Sequence, residues 1–192
     1  MRIGFDFSGV IIDTQHRKVV TARKVFGLTL DQNNAKRTTT GNCLDFETYR
    51  ALQHIVFNTS ELLLAPPIPG AIAELGRLHK RGFDITAVSN ISPSGVNFAK
   101  QWLHQHELSY VNFVSVGVGF PKIAWLRHNF AAFVDDKAES LHAVAQIVPV
   151  CYLLHQPYNA DTVLPKGVTR IANWTALSQE LMALDEAYAP VG

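Results

Sequence analysis

Carboxylates, hydroxyls and one amine recur at the ends of apolar runs in this sequence, and together they could hold a cation and an anion. Asp6 follows Ile3-Gly4-Phe5 and precedes Phe7-Ser8-Gly9-Val10. A carboxylate at the end of a buried strand is costly unless a cation or several donors offset it. Gly9 lets the backbone turn sharply behind it. Asp135 and Asp136 follow an equally apolar run, Ala131 to Val134. Two adjacent carboxylates repel each other and need a positive charge nearby. A hard divalent cation shared by Asp6 and one or both of these acids would supply it, and oxygen-only ligands point to magnesium. Lys122 would bring a positive charge to the same edge, able to hold a phosphate or to neutralise Asp6. Ser89 and Asn90 end another apolar run. Taken singly, Asp6, Ser89 and Lys122 each read better as a turn, a helix cap or a solvated side chain. Their order along the chain, each at the same end of its strand, makes them one set.

The elements that must position them are legible as apolar bursts separated by segments of helical period. The bursts are Ile3 to Phe7, Ile85 to Val88, Val111 to Val118, Ala131 to Val134 and Val150 to Leu154. Runs of this length between helices predict buried parallel strands. Pro69-Gly70 opens a helix whose buried stripe is Ile72, Leu75 and Leu78, and Gly82 closes it. Leu141, Val144 and Ile147 form a second stripe; Leu177, Leu181 and Leu184 form a third after an Asn173 cap. Alternation of strand and helix predicts an α/β fold, a Rossmann-like parallel sheet flanked by helices. In such a sheet ligands bind outside the carboxyl ends of the strands.

Residues 14–67 break the rhythm. They hold helical patterns (Val19, Ala22, Phe26; then Tyr49, Leu52, Val56) but no strand, and return through Pro66-Pro67-Ile68-Pro69. The expected division is a core domain of residues 1–13 and 68–192 with a small helical cap, 14–67, inserted after the first strand. Residues 14–40 carry Arg17, Lys18, Arg23, Lys24, Lys36 and Arg37 against Asp31 alone, an excess of five positive charges. This is either an ordinary solvated helix face or a lid that attracts an anionic substrate.

Composition bounds the possibilities. The chain has 192 residues, of which 47% are apolar and 17% charged, so it can bury a core and is neither disordered nor fibrous. A net charge of +1 gives no support to coating a nucleic-acid polymer. Cys43 and Cys151 are too few for a disulfide framework or a structural zinc site. No apolar run approaches the about 20 residues that span a bilayer, and Asp6 interrupts the start where a signal peptide needs apolar residues. A cytoplasmic protein acting on a small molecule, without a membrane partner, is expected; the residues carry no signal of oligomeric state.

This constellation resembles the haloacid dehalogenase-like (HAD) superfamily of hydrolases. Ile3 to Ile11 is similar to that superfamily's first motif, Ala87-Val88-Ser89-Asn90 to the second, Lys122 to the third and Phe133-Val134-Asp135-Asp136 to the fourth. The likeness covers residues 1 to about 155, and the segment between motifs one and two resembles the family's helical cap. Gln156-Pro157-Tyr158-Asn159 and Asn173-Trp174 are faintly similar to the small deoxyribonucleotidase branch. The resemblance implies a phosphatase of a small phosphorylated metabolite or nucleotide, with Asp6 as nucleophile forming an aspartyl-phosphate. It implies magnesium held by Asp6, the main-chain carbonyl of Ser8 and Asp136, with Asp135 in or beside the shell. Ser89, Asn90 and Lys122 would bind the phosphoryl oxygens.

The family's phosphatases carry a second Asp two residues after the nucleophile, where this chain has Ser8. That Asp protonates the leaving oxygen and later deprotonates water, which a serine hydroxyl cannot do near neutral pH; such a loss typically costs ~10²–10⁴-fold in rate. Several outcomes follow from the resemblance. The protein is a slow phosphatase, one that acts on acyl phosphates, or one that borrows another acid such as His16 or His54. The superfamily's cation pumps carry Thr at this position. Its phosphonate branch needs a cap lysine, for which Lys18, Lys24 and Lys36 are available. Its halide branch works without metal, against which the Asp135-Asp136 pair argues. Outside enzymes, the fold would serve as a magnesium- and phosphate-binding or partner-binding module.

Overall fold

The computed structural model describes residues 1–31, 44–126 and 130–188. Lys36, Arg37 and Cys43 fall outside them. The elements in chain order are β1 (Arg2–Asp6), α1 (Thr14–Phe26), α2 (Phe46–Asn58), a 3-10 turn (Ser60–Leu64), α3 (Ala71–Lys80), β2 (Asp84–Ser89) and α4 (Pro93–Gln105). There follow β3 (Asn112–Ser115), α5 (Ile123–Leu126), β4 (Ala132–Asp135), α6 (Ala138–Val144), β5 (Val150–Leu154), a 3-10 turn (Pro157–Asn159), β6 (Val168–Ile171) and α7 (Trp174–Tyr188).

The six strands form one parallel sheet in the order β3-β2-β1-β4-β5-β6. The α/β reading therefore holds, with β1 central and both neighbours reached by crossover connections. Register aligns Asp6 with Val88 of β2 and Phe5 with Val134 of β4, so the carboxyl ends of all three meet at one edge. Alternate side chains feed two cores. Phe5, Leu75, Trp102, Trp174 and Leu177 pack on one face, and Val88, Phe133, Leu141 and Leu153 on the other. Gly4 is required on the second face, where an added Cβ would lie 2.6 Å from the Phe133 ring.

Several elements depart from the sequence reading. The third strand is shorter than the apolar run that announces it, because Gly117 and Gly119 both take positive φ and turn the chain away. The helix carrying Leu141 and Val144 stops at Val144; Val148 takes the next buried place, and Ile147 is exposed. The strand β6 was not foreseen. Asn173 does cap the last helix, its Oδ1 accepting the Ala176 N–H at 2.9 Å.

Between β1 and α3, helices α1 and α2 close on a small apolar cluster of their own, Ala22, Leu30, Leu52 and Val56. The two chain passages joining them to the sheet run side by side: Asp13 N–H donates to Pro66 O at 2.8 Å and Ile68 N–H to Ile11 O at 2.9 Å. Part of the local basic excess is neutralised there, since Glu61 pairs with both Arg17 and Lys24. Among the described residues, no helix is long and apolar enough to cross a membrane.

Candidate active site

The parallel sheet delivers Asp6, Ser89 and Asp135 to one edge as the last residues of β1, β2 and β4. Lys122 enters from the start of α5. Its Nζ lies 2.9 Å from Asp6 Oδ1 and 2.7 Å from Asp135 Oδ2, with all three side chains buried. Burial pushes the Lys122 amine down, but Asp135 and Asp6 outweigh it and hold the amine above its ordinary value, a fixed cation. Burial pushes the Asp6 carboxyl up; Lys122 opposes this and Asp135 adds to it. Asp6 Oδ1 also accepts the Phe7 N–H at 2.7 Å.

The two late acids occupy different situations. Asp135 is fully engaged: Oδ2 takes Lys122, and Oδ1 accepts the Lys137 N–H at 2.9 Å. Asp136 Oδ2 accepts the Tyr158 hydroxyl at 2.8 Å, whereas its Oδ1 is buried with no hydrogen-bond partner. Burial raises the Asp136 carboxyl to about 7; Lys137 opposes, and Asp135 and Asp6 add to the rise. Asp6, Asp135 and Asp136 each offer an oxygen within 4.8 Å of the others. An orphaned carboxylate oxygen inside a cluster of buried oxygens suits a hard cation. Gly9, at φ +85°, passes so close that a Cβ there would lie 2.6 Å from Asp136 Oδ2.

Ser8 is half-buried and its hydroxyl bonds that of Thr14, the first residue of α1. Ser89 is buried at the end of β2, one position beyond the Val88 that pairs with Asp6. Asn90 is exposed, and its amide donates to the carbonyls of Gly117 and Phe120 at 3.0 and 2.5 Å, so it fastens the loop that leads to Lys122. His16 and His54 both stand at exposed positions of α1 and α2. Of the lysines considered in the helical segment, Lys24 is exposed and Lys18 is 4% exposed.

Lys137 escaped the sequence reading, while Tyr158 and Asn159 entered it only as part of the Gln156 to Asn159 segment, with no role at the site. Lys137 follows the acid pair directly; Asp136, Asp6 and Asp135 together raise its amine well above the ordinary range against the opposing effect of burial. Tyr158 orients Asp136. Asn159 holds the same turn, its amide donating to Asp136 O at 3.0 Å and Leu154 O at 2.9 Å. The sequence signal was the cation directly after two acids, and the polar Tyr-Asn pair closing the fifth apolar run.

A family model described as "5' nucleotidase, deoxy (Pyrimidine), cytosolic type C protein" matches residues 1–185. The fold is similar to a solved structure described as a predicted phosphatase from Clostridium acetobutylicum, with TM-score 0.65, 14% identity, and 95% of this chain and 98% of that chain covered. It is similar to a HAD family hydrolase from Deinococcus radiodurans R1 with bound phosphate and sodium, with TM-score 0.64, 15% identity and 96% of each chain covered. It also resembles the D,D-heptose 1,7-bisphosphate phosphatase of Burkholderia thailandensis, with TM-score 0.57, 14% identity, and 95% and 98% covered. Comparison with curated proteins gives no match. The chain is therefore a hydrolase of the HAD superfamily and belongs to its 5' nucleotidase, deoxy (pyrimidine), cytosolic type C family.

Proposed function

We propose that the protein is a magnesium-dependent phosphatase of a small phosphomonoester, with a nucleoside 5′-monophosphate as the first candidate, acting through a phosphorylated Asp6. The observation that carries this reading is the pairing of Lys122 with both Asp6 and Asp135, beside an Asp136 oxygen that has no partner. Asp6, Asp136 and the Ser8 carbonyl would hold magnesium. Asp135, with each oxygen already bonded, supports from beside the shell. The ion would supply positive charge to the transferring phosphoryl group.

The chain's own residues account for the rest. Lys122 favours the ionised form of Asp6 against burial, aims it, and is a second positive charge for the phosphoryl oxygens. Ser89, buried one strand away, would donate its hydroxyl to the same group. Asp6 attacks phosphorus, the leaving oxygen departs, and water then releases phosphate from Asp6. Helices α1 and α2 would cover the site as a lid, which favours a small substrate over a polymer. The family description names a cytosolic type, which supports a cytoplasmic location. A second reading, phosphonate hydrolysis, needs a lid amine that condenses with a substrate carbonyl; the buried Lys18 favours it.

The test is phosphate release from a panel of ribo- and deoxyribonucleoside monophosphates, sugar phosphates and acyl phosphates, with and without magnesium. Release that requires magnesium, with a preference for nucleoside monophosphates, supports the reading. Release without the metal, or from phosphonates alone, contradicts it.

A further inference from the structure

Lysines 18, 122 and 137 approach the carboxylate edge from three elements, and they differ in what they can do. Lys122 is committed to Asp6 and Asp135 at 2.9 and 2.7 Å, and Lys137 directly follows the acid pair on the turn after β4. Lys18 is different. It lies on α1 at four-residue spacing between Thr14 and Ala22, a face on which exposures are 0%, 4% and 0%. Thr14, one turn away, holds the Ser8 hydroxyl. Lys18 therefore lies on the same face of α1 as Thr14, about 6 Å further along it, a distance that its four-carbon stem can span back toward the loop after the nucleophile.

Groups face Lys18 from three elements. From its own helix Gln15 Oε1 accepts at 3.3 Å, and from α2 the Phe57 ring lies 5.5 Å away. From the turn after β4, Lys137 repels its charge and Asp136 attracts it. Burial, reinforced by Lys137 and only partly offset by Asp136, lowers the amine to about 7. An amine so placed can give up a proton and take it back near neutral pH. The carboxylate that would carry this proton is missing at position 8, and His16 and His54 face solvent.

We propose that Lys18 is the general acid of this site, donating its Nζ proton to the leaving oxygen in the role that Ser8 cannot fill. The role rests on the phosphatase reading above. In the first step Asp6 Oδ bonds to phosphorus as the bond from phosphorus to the leaving oxygen breaks, and that oxygen takes the proton from Lys18 to leave as an alcohol. In the second, the neutral amine accepts a proton from the water that attacks phosphorus. The bond to Asp6 breaks, and phosphate and the ammonium are regenerated together.

The test compares Lys18→Met with wild type on two leaving groups, using kcat/KM to report the first step alone. With a nucleoside 5′-monophosphate, whose alkoxide must be protonated, kcat/KM should fall by ~10²–10⁴-fold. With acetyl phosphate, whose acetate leaves without a proton, it should change less than about threefold, which also shows that the variant is folded. Wild-type kcat/KM on the nucleotide should decline as pH rises above about 7, and this limb should be absent in Lys18→Arg. Equal losses on both substrates would make Lys18 a binding or structural cation and overturn the role, as would no loss on either. Borohydride trapping of Lys18 with an aldehyde substrate would assign imine chemistry instead. A wild-type protein that releases no phosphate from either substrate would overturn the phosphatase reading itself.

Discussion

Lys122 holds Asp6 at 2.9 Å while its Nζ also touches Asp135 at 2.7 Å, so one buried ammonium ties the ends of β1 and β4 together. Removing one member of such a group leaves uncompensated buried charge. Lys122→Met should cost about 3–5 kcal/mol of stability, measured by urea unfolding at pH 7. It should also lower kcat by ~10²–10³-fold. Added magnesium should restore part of the stability, because it neutralises the same carboxylates.

Asp136 makes magnesium binding depend on pH. Its carboxyl sits at about 7 in the folded protein, so a proton competes with the ion below that value. Magnesium affinity, followed by calorimetry, should weaken as pH falls from 8 to 6 and level off above about 8. The sign for stability is opposite in the metal-free protein. The folded state retains a proton that the unfolded chain has already released, so the stability penalty grows as pH rises toward about 7. Asp136→Asn should therefore melt above the metal-free wild type at pH 8, match it near pH 4, and bind no magnesium.

Tyr158 tunes that carboxyl from behind. Its hydroxyl hydrogen bond lowers the Asp136 value against burial. Tyr158→Phe should shift the pH midpoint of magnesium binding upward and weaken affinity at pH 7 by roughly 10-fold. Little should change at pH 9, where Asp136 is ionised in either protein.

Gly9 leaves no room for a side chain. At φ +85° with Asp136 Oδ2 2.6 Å and the Tyr158 hydroxyl 2.8 Å from a built Cβ, Gly9→Ala is both strained and obstructed. A stability loss of about 1–3 kcal/mol is expected, together with weaker magnesium binding, because Asp136 must move. Gly27→Ala is the control. Gly27 also has positive φ, but nothing lies within 4 Å of its Cβ, so only the backbone cost should be felt.

Much of this was legible because each feature had one local cause. Apolar bursts ending in Asp6, Ser89 and Asp135 gave the parallel sheet and its functional edge, since a strand's last side chain is placed by backbone alone. What escaped depended on tertiary partners. Val168-Thr169-Arg170-Ile171 is too short and polar to stand out among the apolar bursts, and it is tied down by the Arg170 guanidinium, which donates to the carbonyls of Asn159 at 2.9 Å and Thr162 at 2.8 Å. Ile147 fits the period of Leu141 and Val144, but the helix ends first and Val148 fills the space. Lys18 and Lys24 are equivalent as letters; burial against Phe57, opposite Asp136 and Lys137, distinguishes Lys18, and Lys36 lies outside the described residues.

The central claim is that Asp6 becomes phosphorylated. The most direct measurement is acid quench of the protein during magnesium-supported turnover, borohydride reduction of any acyl phosphate, and mass spectrometry of the peptide containing residue 6. The account predicts conversion of Asp6 to homoserine, dependent on both substrate and magnesium and absent from Asp6→Asn. Steady phosphate release with Asp6 unmodified under single-turnover quench, or with the modification on another residue, would contradict it.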